Sequence, residues 1–315
     1  MVTSQLQKKI SISVIIPTRN GASTLREVFS MLSRQTISFL EVLVVDSSSD
    51  DATVEIANEF EAEVTVIQQA EFDHGGTRTM MARKAKGDIL LFLTQDAIPV
   101  EIDAVEKLIG PLLSVKDIAV SYGRQIPSRG ANPFATHLRL FNYPPESVVR
   151  TLDDRVDLGL KTVFASNSFA AYQKKSLEEV GFFKNGLIFG EDTCTVGRLL
   201  LQGQKIAYVA DAAVYHSHNY TWFQEFRRSF DIGVLHSTEK WLLDTYGRAE
   251  GHGFRYMCSE LAFLKLQRKL FLFPVYLIRN GLKFLGYQFG KNYKYLPEVF
   301  VPYLSMHSGW WKKSI

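Results

Sequence analysis

The chain has 315 residues, enough for one large α/β domain or for one such domain with a smaller appendage. Its 46% hydrophobic and 22% charged residues fit an ordinary globular protein with a sizeable core. Its two cysteines, Cys194 and Cys258, exclude a disulfide framework or a cysteine metal cluster and favour a reducing cytosolic setting.

The net charge of +3 is unevenly distributed. From Phe254 onward there are ten Lys or Arg and two Asp or Glu, a balance of +8, so the preceding part carries −5. This asymmetry suggests that the tail meets something anionic, either lipid headgroups or nucleic acid. Lipid is favoured, because the whole chain is nearly neutral and no nucleic-acid recognition module is visible. The N-terminus lacks the apolar core of a signal peptide, which predicts an unexported protein.

Strand and helix patterns alternate through the first third of the chain. Short apolar runs predict strands at residues 11–16, 41–45, 64–67 and 89–93. Helical spacing of apolar residues follows three of these strands, with Ser23 or Thr24 as the expected cap of the first helix. Pro17 is expected to end the first strand. The alternation predicts a parallel sheet with right-handed crossovers.

The run at 89–93 is uninterrupted and apolar, as in a strand buried on both faces of a parallel sheet, and it ends in Thr94, Gln95 and Asp96. Ligands of open α/β sheets bind outside the carboxyl ends of the strands, which makes Asp96 a candidate site residue. The alternative is that Asp96 only caps the loop. Two earlier strands also end in polar loops, at Asn20 and Asp46. Neither a GxGxxG fingerprint nor a P-loop is present, so a nucleotide held by carboxylates and loop backbone is favoured.

The order and spacing of three motifs resemble the inverting family 2 glycosyltransferases of GT-A fold, over roughly residues 10–240. The motifs are Val14-Ile15-Ile16-Pro17-Thr18-Arg19-Asn20, then Val44-Val45-Asp46 with Asp51 and Thr53, then Leu93-Thr94-Gln95-Asp96. Within that family, the segment at 72–78 and Thr94-Gln95-Asp96-Ala97 resemble bacterial rhamnosyltransferases that use dTDP-L-rhamnose.

The resemblance implies a nucleotide-sugar site at the strand ends. Thr18 and Asn20 would touch the nucleotide, and Asp46 would hydrogen-bond the pyrimidine edge. Arg78 would lie near the base or the diphosphate, and its place after Gly75-Gly76 favours this over the alternative of a solvated helix residue.

The last motif would complete that site. Gln95 would contact the nucleotide sugar, and Asp96 would bind a divalent metal, Mg²⁺ or Mn²⁺. Thr94 replaces the first carboxylate of the family's Asp-x-Asp motif, so the metal has one anionic ligand fewer.

The middle of the chain gives weaker patterns. Residues 123–160 contain four prolines and no strong period, which predicts an irregular lid or acceptor-facing excursion. Further on, the family places sugar and acceptor contacts at Asn167 and Ser168, although Asn and Ser in a turn need no function.

Glu191 and Asp192 precede an amphipathic helix pattern. An acidic pair there could simply favour the helix dipole. An inverting sugar transfer needs a carboxylate to take the proton of the acceptor hydroxyl. The family's Glu-Asp pair matches these residues, so Asp192 is predicted to be the general base and Glu191 to contact sugar or acceptor.

Two histidines, His216 and His218, end a predicted strand and point to the same face. They could be structural, or one could complete the metal shell and compensate for Thr94. On the helix that follows, Arg227 or Arg228 could face the diphosphate or solvent.

The tail is aromatic and basic. Its longest apolar run, residues 270–278, is too short to span a bilayer but suits a helix lying in the membrane interface. Trp310-Trp311-Lys312-Lys313 fits the same interpretation. The alternatives are a helical cap on the catalytic domain or an oligomer interface.

These observations predict an inverting GT-A glycosyltransferase domain over residues 1–250 and a helical C-terminal extension over 251–315. The expected reaction moves L-rhamnose from dTDP-L-rhamnose to a lipid-linked or polysaccharide acceptor, in the cytoplasm at the inner face of a bacterial membrane. Two alternatives stay open: a transferase with a UDP or GDP donor, and a non-catalytic partner of a polysaccharide assembly complex.

Overall fold

A computed structural model of the chain describes residues 10–247 and 250–314, apart from the side chains of 250–252, 313 and 314. The prediction of an unexported N-terminus rests on residues 1–9, which lie outside this range, as does the side chain of Lys313. The predicted boundary at 250/251 lies beside residues 248–249, also outside it, and stays a prediction.

A single sheet forms the centre of the described chain. Its strands are β1 (Ile12–Thr18), β2 (Glu41–Asp46), β3 (Glu63–Val66), β4 (Ile89–Leu93), β5 (Ile98–Pro99), β6 (Ile118–Ile126), β7 (Val148–Arg150), β8 (Phe169–Gln173) and β9 (Lys205–Tyr215). They lie in the order β3-β2-β1-β4-β8-β6-β9-β5, and β7 also pairs with β9.

The sheet is parallel in its first half and mixed in its second. Strands β3, β2, β1 and β4 are parallel, as the strand–helix alternation predicted. Strand β8 is antiparallel to both β4 and β6, because it enters from the opposite edge after the excursion at 123–160. The α/β fold class is confirmed, and the carboxyl ends of β1, β2 and β4 share one edge.

The first strand continues through Pro17 to Thr18, so the prediction that Pro17 ends it was wrong. Pairing with β4 extends only to Ile15, and Pro17 therefore removes no bond from that ladder. On the β2 side alternate residues make the bonds, and the Thr18 carbonyl accepts from the Ser47 N–H at 2.9 Å. This extension carries Thr18 to the edge of the sheet.

Helices cover both faces of the sheet. They are α1 (Ala22–Leu32), α2 (Thr53–Glu59), α3 (His74–Lys84), α4 (Ala104–Ser114), α5 (Pro133–Asn142), α6 (Arg155–Leu158), α7 (Lys174–Glu179), α8 (Glu191–Leu201), α9 (Trp222–Thr238), α10 (Lys240–Tyr246), α11 (Glu250–Leu266), α12 (Phe273–Lys291), α13 (Val301–Leu304) and α14 (Ser308–Ser314). Helix α1 starts after Gly21 without a side-chain cap, so neither Ser23 nor Thr24 caps it.

Residues 123–160 are more regular than predicted. They contain the end of β6, helix α5, strand β7 and helix α6. The Asn132 side chain caps α5 by accepting from the Ala135 N–H at 2.9 Å, and Pro133 occupies the first turn, where its missing N–H costs nothing. One of the four prolines that suggested irregularity, Pro133, instead begins a helix.

Both faces of the sheet are buried. Ile15 and Phe92 pack on one side with α3 and α8, while Val14 and Leu91 pack on the other side with α1 and α4. This explains the uninterrupted apolar runs of β1 and β4.

The C-terminal helices pack directly on the rest of the chain. Helix α12 lies against α9 at backbone distance: a Cβ on Gly290 would come 1.8 Å from the Phe230 carbonyl oxygen, and one on Gly286 would come 2.4 Å from that of Phe226. Only glycine fits at such contacts. Among the helices of the described residues, none is both long and apolar enough to cross a membrane.

Candidate active site

A cavity of about 750 Å³ lies at the carboxyl ends of β1 and β4. From the first half of the chain its wall includes four of the predicted site residues, namely Thr18, Arg78, Gln95 and Asp96. Arg19, which sequence reasoning did not single out, lines it as well. The cavity therefore lies at the strand ends, where the sequence predicted a ligand site.

Gln95 holds the loop after β1 in place. Its side-chain carbonyl accepts from the Arg19 N–H at 2.8 Å, and its amide donates to the Arg19 carbonyl at 2.9 Å. Asn20 lies just beyond at a φ of +47°, a conformation that Asn tolerates, and is exposed with its side-chain oxygen accepting from the Asp50 N–H. The predicted nucleotide contacts of Gln95 and Asn20 stay predictions, and both residues shape the loop.

Asp46 lies behind the cavity wall. Its carboxylate is fully buried and accepts hydrogen bonds from the Thr18 hydroxyl at 2.9 Å and from the N–H of Ser49 at 2.8 Å. This arrangement joins the loops after β1 and β2. Its predicted contact with the base stays a prediction.

Asp96, His216 and His218 form a cluster in which one ligand atom of each lies within 4.8 Å of the others. His216 Nε2 is 3.4 Å from Asp96 Oδ1, and His218 Nε2 is 3.7 Å from Asp96 Oδ2. Burial raises the pKa of Asp96, but the hydrogen bond and charge of His216 and the charge of His218 outweigh it and hold that pKa well below its ordinary value. Asp96 therefore stays an anion beside two imidazoles.

Gln125 orients this cluster and was missed from the sequence. Its side-chain oxygen lies 2.9 Å from His216 Nδ1, and its amide donates to the Ser166 hydroxyl at 3.0 Å. Since the Gln125 oxygen can only accept, the Nδ1 of His216 donates the hydrogen bond between them, and Nε2 is the ring nitrogen that faces Asp96. A buried glutamine in the strand pattern of residues 118–126 was the available signal.

Arg78 and Glu191 form a buried ion pair with Nη1 and Oε1 3.2 Å apart. The Asn167 amide donates to the same Glu191 oxygen at 3.0 Å, and the Asn167 carbonyl accepts from the Tyr172 hydroxyl at 2.8 Å. Although burial raises it, the Arg78 guanidinium holds the pKa of Glu191 below its ordinary value. Glu191 and the side chain of Asn167 are thus engaged inside the protein, and their predicted sugar or acceptor contacts stay predictions.

Helix α3 begins beside the cavity at His74. Asp73 caps it by accepting from the Gly76 N–H at 2.6 Å. A Cβ on Gly75 would come 1.9 Å from the Lys184 carbonyl oxygen, so this glycine serves the approach of another loop and not that of a ligand. The close packing aims Arg78, one turn along, at Glu191.

Asp192 is half-buried at the start of α8, which follows Gly190 at a φ of +78°. Its oxygens accept from the N–H groups of Thr193 at 2.7 Å and Asn167 at 3.2 Å. Burial and the neighbouring Glu191 carboxylate raise the pKa of Asp192 to about 7. A carboxylate with that pKa can accept a proton near neutral pH.

Ser168 connects Ser166, the partner of Gln125, to the loop that carries Asp96. Its carbonyl accepts from the Thr94 N–H at 3.2 Å, and its hydroxyl is 3.3 Å from that of Ser166. A continuous path therefore runs from Gln125 through Ser166 and Ser168 to the loop that carries Asp96.

The two arginines of α9 have different surroundings. Arg227 Nε donates to the Tyr303 carbonyl at 2.9 Å and its guanidinium stacks on Phe223. The Arg228 guanidinium lies 5.8 Å from the ring centre of Tyr220, which itself contacts His218. Of the pair, Arg228 is the one on the side of the cluster of Asp96, His216 and His218.

The C-terminal segment contributes His307, Gly309, Trp310 and Lys312 to the wall of the cavity, which Leu187 and Ile188 also line. Trp311 is 7% exposed and packs in the core, so its predicted place at a membrane interface was wrong. Adjacent residues of α14 point to different sides, and periodicity over so short a stretch could not separate them.

Comparison with known proteins agrees with this geometry. The model of glycosyl transferase family 2 matches residues 13–181. The O-antigen chain rhamnosyltransferase WbaN of Salmonella anatum is 42% identical over 303 residues, covering 96% of each chain. RfbN of Salmonella typhimurium, described by the same activity, is 41% identical over 304 residues and again covers 96% of each.

Solved structures share the fold. A mannosyltransferase of Pyrobaculum calidifontis, in complex with GDP-Man and Mn²⁺, superposes with a TM-score of 0.63 at 16% identity, covering 90% of this chain and 88% of that one. Staphylococcus aureus TarS with UDP-GlcNAc gives 0.52 at 16% identity, covering 90% and 92%.

The chain belongs to glycosyl transferase family 2. It is a glycosyltransferase of GT-A fold, as the strand-end motifs predicted.

Proposed function

We propose that the protein transfers L-rhamnose from dTDP-L-rhamnose, with inversion, to a hydroxyl of a lipid-linked or polysaccharide acceptor in O-antigen synthesis. The choice of rhamnose as the sugar rests on the 41–42% identity to two O-antigen chain rhamnosyltransferases over 96% of the chain. The reaction class is supported by the raised pKa of Asp192, which suits a proton acceptor, and by the group of Asp96, His216 and His218, which could hold a metal ion.

Asp192 is the proposed base. It takes the proton of the acceptor hydroxyl while that oxygen bonds to the anomeric carbon of the sugar. The bond between the anomeric carbon and the diphosphate oxygen breaks on the opposite face, and dTDP leaves. The Arg78–Glu191 ion pair fixes the start of α8 and thus the position of Asp192.

Asp96, His216 and His218 would hold the divalent metal. One carboxylate and two imidazoles fit such an ion, and Gln125 holds the His216 ring with its Nε2 toward Asp96. Imidazole nitrogen suits Mn²⁺ better than Mg²⁺, which prefers an all-oxygen shell, so Mn²⁺ is proposed. When bound, the ion would neutralise charge on the leaving diphosphate.

Calorimetric titration with dTDP-L-rhamnose, UDP-GlcNAc and GDP-mannose, each with Mn²⁺, with Mg²⁺ and with EDTA, tests the donor. We expect the tightest binding for dTDP-L-rhamnose with Mn²⁺. Tighter binding of a UDP or GDP sugar would replace the donor and keep the transferase. Binding of no donor would favour the non-catalytic role in an assembly complex.

We also propose that the protein works in the cytoplasm at the inner face of the membrane, bound to anionic lipid through α12. This helix is inverted relative to an ordinary surface helix. Its buried face carries Arg279, paired with Glu225, and its outer face exposes a row of apolar residues. The row consists of Phe273, Leu277, Ile278, Phe284, Leu285 and Phe289.

Basic residues flank this row at both ends. Arg268 and Lys269 precede α12, and Lys291 and Lys294 lie at or after its end. An apolar stripe bordered by Lys and Arg suits the surface of an anionic membrane.

Co-sedimentation with vesicles tests this interaction. Leu277→Glu combined with Phe284→Glu should lower binding to vesicles containing phosphatidylglycerol about tenfold, because the apolar row no longer inserts. Val156→Glu, at a residue 84% exposed on α6, is the matched control and should bind as wild type. A wild-type dimer in light scattering that the double variant dissociates would indicate instead that a second copy covers the row.

A further inference from the structure

We propose that residues 305–312 form a fixed wall of the donor site and that Lys312 and Trp310 bind the nucleoside diphosphate part of the donor. This inference rests on the proposed function, because it assigns further binding residues to the same cavity. None of these residues lies within the segment matched by the family model, which ends at residue 181.

The segment is anchored on both sides of the cavity. The Met306 N–H donates to Asp231 Oδ2 at 2.9 Å, and the Trp310 indole N–H donates to the Gly186 carbonyl at 3.0 Å. Trp311, buried in the core, packs on Tyr293 with ring centres 5.3 Å apart. These contacts hold the segment against α9 and against the loop before α8, so it is a wall and not a loose tail.

Aromatic side chains continue the wall. The His307 ring lies 4.9 Å from that of His74 at the start of α3, and 6.2 Å from that of Phe189. Trp310, half-buried beside them and lining the cavity, offers an indole held in place by its bond to Gly186. A ring fixed in this way suits stacking on the base of a nucleotide.

Lys312 adds a positive charge that is free to meet a ligand. It lines the same cavity as Asp96 and is exposed. Within the described residues, no ion pair places a carboxylate within 4.0 Å of its ammonium, whereas Arg78, the neighbouring cation, is neutralised by Glu191. A lysine ammonium beside a bound diphosphate would contribute a charge-assisted contact.

The test compares Lys312→Gln with wild type by calorimetric titration of dTDP in the presence of Mn²⁺. We expect the Kd for dTDP to rise about tenfold in the variant, and the difference to shrink as salt is raised. Lys116→Gln, which removes an equally exposed charge after α4, is the matched control and should bind as wild type. Equal affinity of Lys312→Gln and wild type would overturn the role of Lys312.

A second measurement tests the wall without a substitution. Amide hydrogen exchange with and without dTDP and Mn²⁺ should show slower exchange at residues 305–312 when the nucleotide binds.

Two substitutions test Trp310 separately. Trp310→Phe, which keeps a ring but removes the bond to Gly186, should weaken dTDP binding less than Trp310→Ala does. Unchanged exchange, or equal binding by the alanine variant and wild type, would contradict the wall. Failure of the proposed function would be distinct, because wild type itself would then bind no dTDP.

Discussion

The loop after β4 and the start of α8 each carry an aspartate, and their surroundings are opposite. Asp96 lies between two imidazoles, which hold its pKa below the ordinary value. Asp192 is half-buried beside the Glu191 carboxylate, and burial together with that charge raises its pKa to about 7. The two carboxyl groups thus suit the separate tasks proposed for them, a permanent anion for a cation and a proton acceptor, because their neighbours differ.

The largest expected effect comes from removing the proton acceptor. Asp192→Asn should lower kcat about 10³-fold, since the amide keeps the shape but cannot take a proton. Initial rates of rhamnose transfer measure this, and the Kd for dTDP should stay within about twofold because the base does not hold the nucleotide. A variant that folds and retains near-normal kcat would show that the two aspartates do not divide the roles in this way.

Removing the permanent anion should act through the metal instead. Asp96→Asn should raise the concentration of Mn²⁺ needed for half-maximal activity on the order of 10²-fold, because a neutral oxygen replaces a carboxylate. Activity titrated with Mn²⁺ after EDTA treatment provides the measurement. If Asp96→Asn matched wild type at every Mn²⁺ concentration, the cluster would have no role in metal binding.

A smaller effect should follow from the residue that orients His216. Gln125→Leu should raise the Mn²⁺ requirement about tenfold, because the Nδ1 proton of His216 loses its acceptor and the ring can adopt the other tautomer. Gln125→Glu, which retains an acceptor, should restore most of the affinity. A leucine variant that loses activity without any change in its Mn²⁺ requirement would indicate a purely structural role.

The raised pKa of Asp192 makes a prediction about pH. Transfer by wild type should rise as pH increases through about 7, where the carboxyl loses its proton. Stability should respond with the opposite sign. A folded-state pKa above the unfolded value means that the folded protein binds the proton more tightly, so the charged carboxylate costs stability at higher pH.

Asp192→Asn removes that cost, which accumulates between the unfolded pKa of about 4 and the folded pKa of about 7, so its gain in the free energy of unfolding should be larger at pH 8 than at pH 5 by about 1–2 kcal/mol. Urea denaturation at the two pH values measures the difference. An equal change at both would show that the Asp192 carboxyl is not perturbed.

Site residues that follow strands could be predicted from the sequence, because apolar periodicity reveals the strands. Contacts between residues far apart in the chain could not. Asp96, His216 and His218 were found because each follows a strand, and strand ends meet at a common edge. The roles of Asn167 and Glu191 were harder to predict, because their mutual bond and the Glu191–Arg78 pair join side chains 24 and 113 positions apart. Trp311 was misplaced because composition alone does not tell which side of a short helix faces the core.

The inverted character of α12 separates two kinds of selection on one helix. Replacement of Arg279 on its inner face by a neutral polar residue would remove the nearest of the two cations beside Glu225 and damage folding, while polar replacement on its outer face would leave the folded chain intact. Selection on the outer residues therefore depends only on what they contact. In a lineage that lost the contact made by the outer face, the outer apolar residues would be replaced by polar ones. The glycines that pack against α9, Gly286 and Gly290, would be retained.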